Sequence, residues 1–498
     1  MLFKPVLPLA RTGLALLLAA CLAAPAQSQP MGIPSMGAAS GAELSPSLER
    51  TLGNAIMEQG RRSPDYVADS DINQYLTDMG RKLARHGPAM AQPVTVFALR
   101  DSSINAFALP GGYIGIHSGL ITASQSESEL ASVLAHEIAH VAQRHVARGI
   151  TQSAQSNHLM IAALAGALLG ALAGSGDLAM GAAAFGQAAA VDRQLGFSRQ
   201  AEQEADRVGF EMLTKAGYEP QGMVRMFQRL ASASRLNESA SANEYASTHP
   251  LSQQRESDIQ NRVRGVPASG YQDSPSFWYV RAKLMIMQAG AGQALREVEQ
   301  SLQSSARQEQ DSIERSAALY GLAYIAMGRQ DYDQARALLA QAGGQGRYQA
   351  PELDTLAVSV EIAAGDRQAA QARAQQAWKR WPQSQGAALA YVQVLQQAGQ
   401  NEQAQRFLLQ LIEQWPDVPR LHQLLAQTYD RLGDGVKARR AMAEYYQLVG
   451  ALPTAVEQLQ QARNLTTDFY QQSELDTQIR QLRERVENER ALLERFRS

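Results

Sequence analysis

Four alanines constrain the second half of this chain more than any other feature. Ala335, Ala370, Ala404 and Ala438 are separated by 35, 34 and 34 residues, and Gly365, Gly399 and Gly433 each stand five residues before the last three. Trp381-Pro382 and Trp415-Pro416 recur at the same interval of 34. A 34-residue period with a mid-repeat glycine turn, a small residue where two helices cross and a closing proline is the tetratricopeptide pattern. Each such unit is a helix pair that cannot bury its own apolar face, so neighbours must stack into a solenoid. Phe277–Leu302 reads as a degenerate earlier unit, with Ala294 at the small position but out of register. The charged segment Glu474–Phe496, poor in apolar residues, suits a helix that caps the last unit. A polar break at Arg264–Ser276 (RGVPASGYQDSPS) marks off the preceding region, giving expected units of 46–266 and 267–498. A solenoid provides a binding groove and no chemistry of its own.

Bulk properties narrow the alternatives. A chain of 498 residues is long enough for two or three domains. Its 46 basic and 48 acidic residues leave a formal charge of -2, without the basic excess of a nucleic-acid binder. The single cysteine excludes an intrachain disulfide and a cysteine-rich zinc module, so any metal must rest on histidine and carboxylate. Residues 1–26 have the form of a cleaved export signal: Lys4 and Arg11, the apolar core Leu14–Ala20, then Ala24-Pro25-Ala26. A second reading ends the signal at residue 20, because Leu18-Ala19-Ala20-Cys21 has the form of a lipobox that would acylate Cys21. Residues 27–45, rich in Gly, Ser, Pro and Met, read as a flexible leader.

The chemistry lies in Val133–Val146 (VLAHEIAHVAQRHV). Ser126 and Glu129 form a capping box, and Leu130, Val133, Leu134, Ile138 and Val141 supply the apolar face of a helix. On that helix His136 and His140 stand one turn apart, so both imidazoles can reach one metal. Glu137 lies beside them, placed to act as general base toward water. A catalytic zinc needs a third protein ligand and an open position. His145 is out of register for the third histidine of one large peptidase class and reads as a solvated surface residue. The better candidates are in Ser198–Gly209 (SRQAEQEADRVG): Glu202 and Asp206 share one helix face and Glu204 points away. Glu202 can ligate the metal, and Asp206 can accept the free ring N–H of a ligand histidine.

Taken together, HExxH, the later ExxxD glutamate and the strand-like stretch Asn105–Ile121 resemble the gluzincin family of the CAAX prenyl proteases. The resemblance implies a mostly α zincin (gluzincin) protease domain with a small β element ahead of the α-solenoid. It implies a zinc metalloendopeptidase holding one zinc ion per chain, with His136, His140 and Glu202 as ligands and Glu137 as general base. For an exported member followed by such repeats, it implies a periplasmic place associated with the outer membrane. The work implied is quality control of outer-membrane proteins at the barrel-assembly machinery, with unfolded or misassembled outer-membrane proteins as substrates.

Several features keep two readings each. Tyr113–His117, after the Gly111-Gly112 turn, is either a strand that holds a peptide by main-chain bonds or a plain core strand; His117 reads as structural. His249, in the loop Ser247-Thr248-His249-Pro250, reads as a donor to the oxyanion or as a fourth ligand that silences the enzyme, its nearness to zinc resting on the family resemblance. The apolar stretch Leu159–Ala190, with Gly166, Gly170 and Gly174 on one face, reads as a packed helix or lid over the site, or as a peripheral membrane contact. The rival to a protease is a non-proteolytic chaperone or scaffold with a silent or structural zinc.

Overall fold

The computed structural model describes residues 45–90, 93–146, 148, 197–236, 244–308, 311–343 and 346–497. The export signal, Cys21 and the Leu159–Ala190 stretch lie outside them. Helices α1 (Pro46–Gly60) and α2 (Ser70–Ala84) begin at side-chain caps: Ser45 Oγ accepts from Leu48 N–H, and Asp69 Oδ1 accepts from Ile72 N–H. Three short strands follow, β1 (Thr95–Leu99), β2 (Ala106–Leu109) and β3 (Tyr113–His117), in spatial order β1-β3-β2. Gly111 and Gly112, at φ 81° and 86°, make the turn into β3, a conformation that side chains with a Cβ resist.

That order corrects one expectation. β3 is the central strand, parallel to β1 and antiparallel to β2, so both its edges are taken and it cannot hold a peptide. The outer edge of β1 is closed by α2, where Asn73 Oδ1 accepts from Ala98 N–H and Thr77 Oγ1 from Val96 N–H. On β2, Asn105 C=O accepts from His117 N–H, so the alternate groups of Ala106 and Ala108 turn away from β3. They have no strand partner among the described residues. His117 is buried, its Nδ1 2.7 Å from Ser103 Oγ.

After the short α3 (Ser118–Ala123), α4 (Glu127–Ala142) carries the HExxH residues through the core. Ser126 Oγ accepts from Glu129 N–H, and the Glu129 carboxylate accepts from Gln125 N–H at 2.9 Å, one residue earlier than the usual box. α5 (Arg199–Lys215) crosses α4 where a Cβ on Gly209 would lie 3.1 Å from the Ala135 backbone. α6 (Gln221–Leu236), α7 (Glu244–Thr248) and α8 (Gln253–Arg264) complete this half, whose core includes Leu76, Val96, Ile116, Leu134, Leu213 and Met226.

The second half is a run of helix pairs: α9 (Pro275–Ala289) with α10 (Gly292–Ala306), α11 (Ile313–Gly328) with α12 (Tyr332–Ala342), α13 (Pro351–Ala364) with α14 (Arg367–Arg380), α15 (Gln385–Gln397) with α16 (Asn401–Gln414), and α17 (Pro419–Arg431) with α18 (Gly435–Leu448). α19 (Leu452–Leu465) and the long α20 (Phe469–Arg497) end it. The four periodic alanines are all buried at helix crossings, and Gly365, Gly399 and Gly433 take φ of 76°, 72° and 79° at the turns. Ala294 is exposed, so it does not fill a crossing; α10 buries Leu302 instead. Among the described residues no helix is long and apolar enough to cross a membrane.

Two joints bind the halves. At one, the first helices of successive pairs converge on the amino end of α2: Lys283 of α9 pairs with Asp69, and Gly386 of α15 lies against the Asp71 carboxylate, where a Cβ would clash. Glu352 of α13 is buried nearby, accepting from Ser276 Oγ at 2.9 Å. Part of the surface formed by these first helices is therefore taken by the chain's own α2. At the other joint, Leu52, Ile56 and Met57 of α1 share a core with Phe107, Leu452, Leu475, Ile479 and Leu482. Each fully buried side chain of this size contributes about 1.5–3 kcal/mol. Glu58 and Arg485 close that joint with two 2.9 Å contacts.

The first joint carries a pH signature. Burial pushes Asp71 up to about 7 despite Lys283, and burial together with the Asp71 charge pushes Glu352 up to about 8. Free carboxyls titrate near ~4, so the folded chain holds these protons more tightly than the unfolded one. Their stabilisation is full below about pH 4 and is lost as pH rises through about 7 to 8. Glu352→Gln, which cannot ionise, should therefore raise the calorimetric unfolding temperature at about pH 8.5 and leave it nearly unchanged at about pH 5. An equal shift at both values would count against the assignment.

Candidate metal centre

Helical spacing places the first two side chains. His136 and His140 lie on one face of α4 with their Nε2 atoms 3.0 Å apart. Ser198 caps α5 by accepting from Ala201 N–H, which sets Glu202 in the first turn. Its carboxylate reaches both histidines, at 3.5 Å from His136 Nε2 and 3.4 Å from His140 Nε2. His249 follows α7 and brings Nδ1 to 3.0 Å from Glu202 Oε1 and 3.4 Å from His136 Nε2. One donor atom from each of His136, His140, Glu202 and His249 lies within 4.8 Å of the others, and all four residues are buried. Glu137 is also buried, with Oε1 3.4 Å from His249 Nε2.

Around this set stands a second ring of contacts. Asp206 Oδ1 lies 3.0 Å from His136 Nδ1, and the Arg255 fork meets the Asp206 carboxylate at 2.7 and 2.8 Å. Arg255 also reaches Glu202 Oε2 at 2.7 Å. Tyr245 and Phe197 stack on His249, with centroids 4.6 and 5.5 Å away. Glu204 points away from the cluster, as expected for its place on α5.

The electrostatics suit a cation. Burial pushes His140 and His249 below the ordinary imidazole range, which keeps both in the neutral, ligating form. Burial also opposes protonation of His136, but its bonds to Asp206 and Glu202 outweigh that and lift it to about 9. Burial would raise Glu202, yet His249, His136 and His140 hold it far below the usual carboxylate range. Asp206 is raised by burial and brought down to about 2 by Arg255 and His136. The centre thus sets two anionic carboxylates beside two neutral imidazoles and His136, whose raised value marks the pull of those carboxylates on positive charge. Three nitrogens and a carboxylate oxygen are the donor types that zinc prefers.

Residues 70–263 match the profile of Peptidase family M48, and residues 361–428 match a tetratricopeptide repeat. The chain is 32% identical over 467 residues to the beta-barrel assembly-enhancing protease of Escherichia coli (strain K12), covering 91% of each. The chain belongs to peptidase family M48. The corresponding protease of Yersinia pestis is 30% identical over 453 residues, again 91% of each chain. Metalloprotease LoiP of Escherichia coli is 29% identical over 224 residues, covering 44% of this chain and 82% of that one. This M48 peptidase is a metalloendopeptidase with a repeat domain.

Three residues around the M48 centre give no signal in the sequence, and a fourth lies elsewhere than the sequence suggests. Arg255, Tyr245 and Phe197 carried no visible signal: an arginine on the polar helix α8 looks like any solvated residue until tertiary packing buries it. His145 was expected on the surface, but it is buried, with Nδ1 2.9 Å from His140 Nδ1.

Proposed function

We propose that this M48 peptidase is a zinc-dependent endopeptidase of the cell envelope acting on outer-membrane β-barrel proteins that fail to assemble. The observation that carries the metal reading is the convergence of four buried donor atoms within 4.8 Å. His136, His140 and Glu202 are the resident ligands, for one zinc ion per chain. The periplasmic location rests on the export signal in residues 1–26, and the substrate class on the names of the relatives. Residues 46–266 form the protease unit and 267–498 the repeat unit, capped by α20, which docks substrate or the assembly machinery. Association with the outer membrane, by way of Cys21 or of a partner, belongs to the same proposal.

Bound zinc supplies Lewis acidity, polarising a peptide carbonyl and acidifying water. The chain's own residues do the rest. An extended substrate segment adds to β2, whose Ala106 and Ala108 main-chain groups point away from β3. Glu137 takes a proton from the attacking water and delivers it to the leaving amine. Asp206, held by Arg255, keeps the His136 proton on Nδ1 so that Nε2 stays free to ligate. Chelation should abolish cleavage of an unfolded protein, and added zinc should restore it. Cleavage that survives a strong chelator would remove the metalloprotease mechanism.

His249 decides between activity and silence. Its Nδ1 lies inside the donor set, which favours the silencing fourth ligand over the oxyanion donor. His249→Ala should therefore raise proteolysis severalfold. Lost turnover with zinc retained would favour the donor role instead. The same geometry supports a chaperone or scaffold state of the molecule, in which the repeats bind clients while His249 holds the centre closed.

A further inference from the structure

We propose that His145 and Glu204 form a second support of the metal centre, fixing His140 as Asp206 and Arg255 fix His136. The inference rests on the metal reading above and assigns a positioning role to two residues outside the ligand set. In a continuous helix, positions 140 and 145 lie about 140° apart around the axis and cannot meet. Here α4 ends at Ala142, and Arg144 enters the left-handed region at φ 53°, where residues with a Cβ are disfavoured. Glu49 of α1 holds that turn, its Oε1 2.6 Å from Arg144 Nη2 and 3.1 Å from Nε. The turn folds His145 back against His140, with ring centroids 4.8 Å apart.

The proton positions then follow. With His140 Nε2 facing the donor set, its Nδ1 carries the hydrogen and donates to His145 Nδ1 at 2.9 Å. The His145 proton is left on Nε2, which faces Glu204 Oε2 at 3.3 Å. Arg148 Nη1 stands 3.4 Å from the same oxygen. The run of donors goes one way, from the ligand imidazole out to a carboxylate. Such a chain fixes the tautomer and ring orientation of the ligand and raises its basicity. α4 would thus present two ligands, each anchored through its second nitrogen by a different acidic residue of α5.

The test measures zinc affinity by competition with a chromophoric chelator on the full chain, for wild type, His145→Ala, His145→Gln and Glu204→Gln. Circular dichroism and unfolding temperature report the fold of each. His145→Ala should bind zinc about 10- to 100-fold more weakly, and Glu204→Gln should lose less. His145→Gln, whose Oε1 can accept from His140 Nδ1, should recover part of the loss. Where His145→Ala does not fold, Glu204→Gln decides, because it keeps both imidazoles. The proposal is overturned if wild type binds one zinc while the folded variants stay within about twofold of it. A lowered unfolding temperature with unchanged zinc affinity would reduce His145 to packing and overturn it as well. Wild type that takes up no zinc overturns the metal reading itself, an outcome distinct from the others.

Discussion

Glu137→Gln is expected to abolish proteolysis while leaving fold and zinc content intact. Glutamine keeps the shape of the buried side chain but has no basicity, so the proton of the attacking water has nowhere to go. Positioned general acid–base catalysis is worth about 10²–10⁴-fold, and the whole of that factor should disappear. The comparison is best made in a His249→Ala background, where the wild-type base gives a high rate against which the loss can be read. Glu137 lies outside the four-residue donor set, so metal analysis should give the same zinc content for both chains. Cleavage within about threefold of the parent would place the base elsewhere.

Arg255→Met should produce the largest loss of stability at the centre. Arg255 is 4% exposed and holds two buried carboxylates at once, Asp206 through its fork and Glu202 through Nη1. Methionine fills similar space but takes the guanidinium away from both anions, leaving them their contacts with His136. Removing one partner of a buried ion pair typically costs about 3–5 kcal/mol. Urea denaturation of chelator-stripped protein, followed by tryptophan fluorescence, should show a loss of that order. Arg255→Lys keeps the charge without the planar fork and should fall between the two. A methionine variant with an unchanged midpoint would mean that the pairing merely offsets its own desolvation.

What could be read from the sequence was whatever a regular helix or a fixed period decides. His136 and His140 meet because four residues make one turn, and Glu202 and Asp206 share a face for the same reason. The repeats were visible because Ala and Gly recur at 34 residues. The earlier turn escaped notice because Gln330 stands where the others have glycine, taking φ 64° all the same. Other features depend on events that no period encodes. His145 was misplaced because the helix breaks at Arg144, and the break is held by Glu49, 95 residues away. β3 was open to reading as an edge because β1 and β2 precede it in sequence, whereas in space it lies between them. Arg255 became part of the site only through burial, which a polar helix does not announce.

The shared core of α1 and α20 has a consequence for how the chain must be made. Leu52, Ile56 and Met57 emerge early and find Leu475, Ile479 and Leu482 only after more than 400 further residues have been delivered. A chain threaded from its amino end would carry that sticky helix unsheltered for most of its delivery, a state prone to misassociation. A product cut short before α20 would lack this seal, so incomplete chains would be poorly equipped to become working proteases.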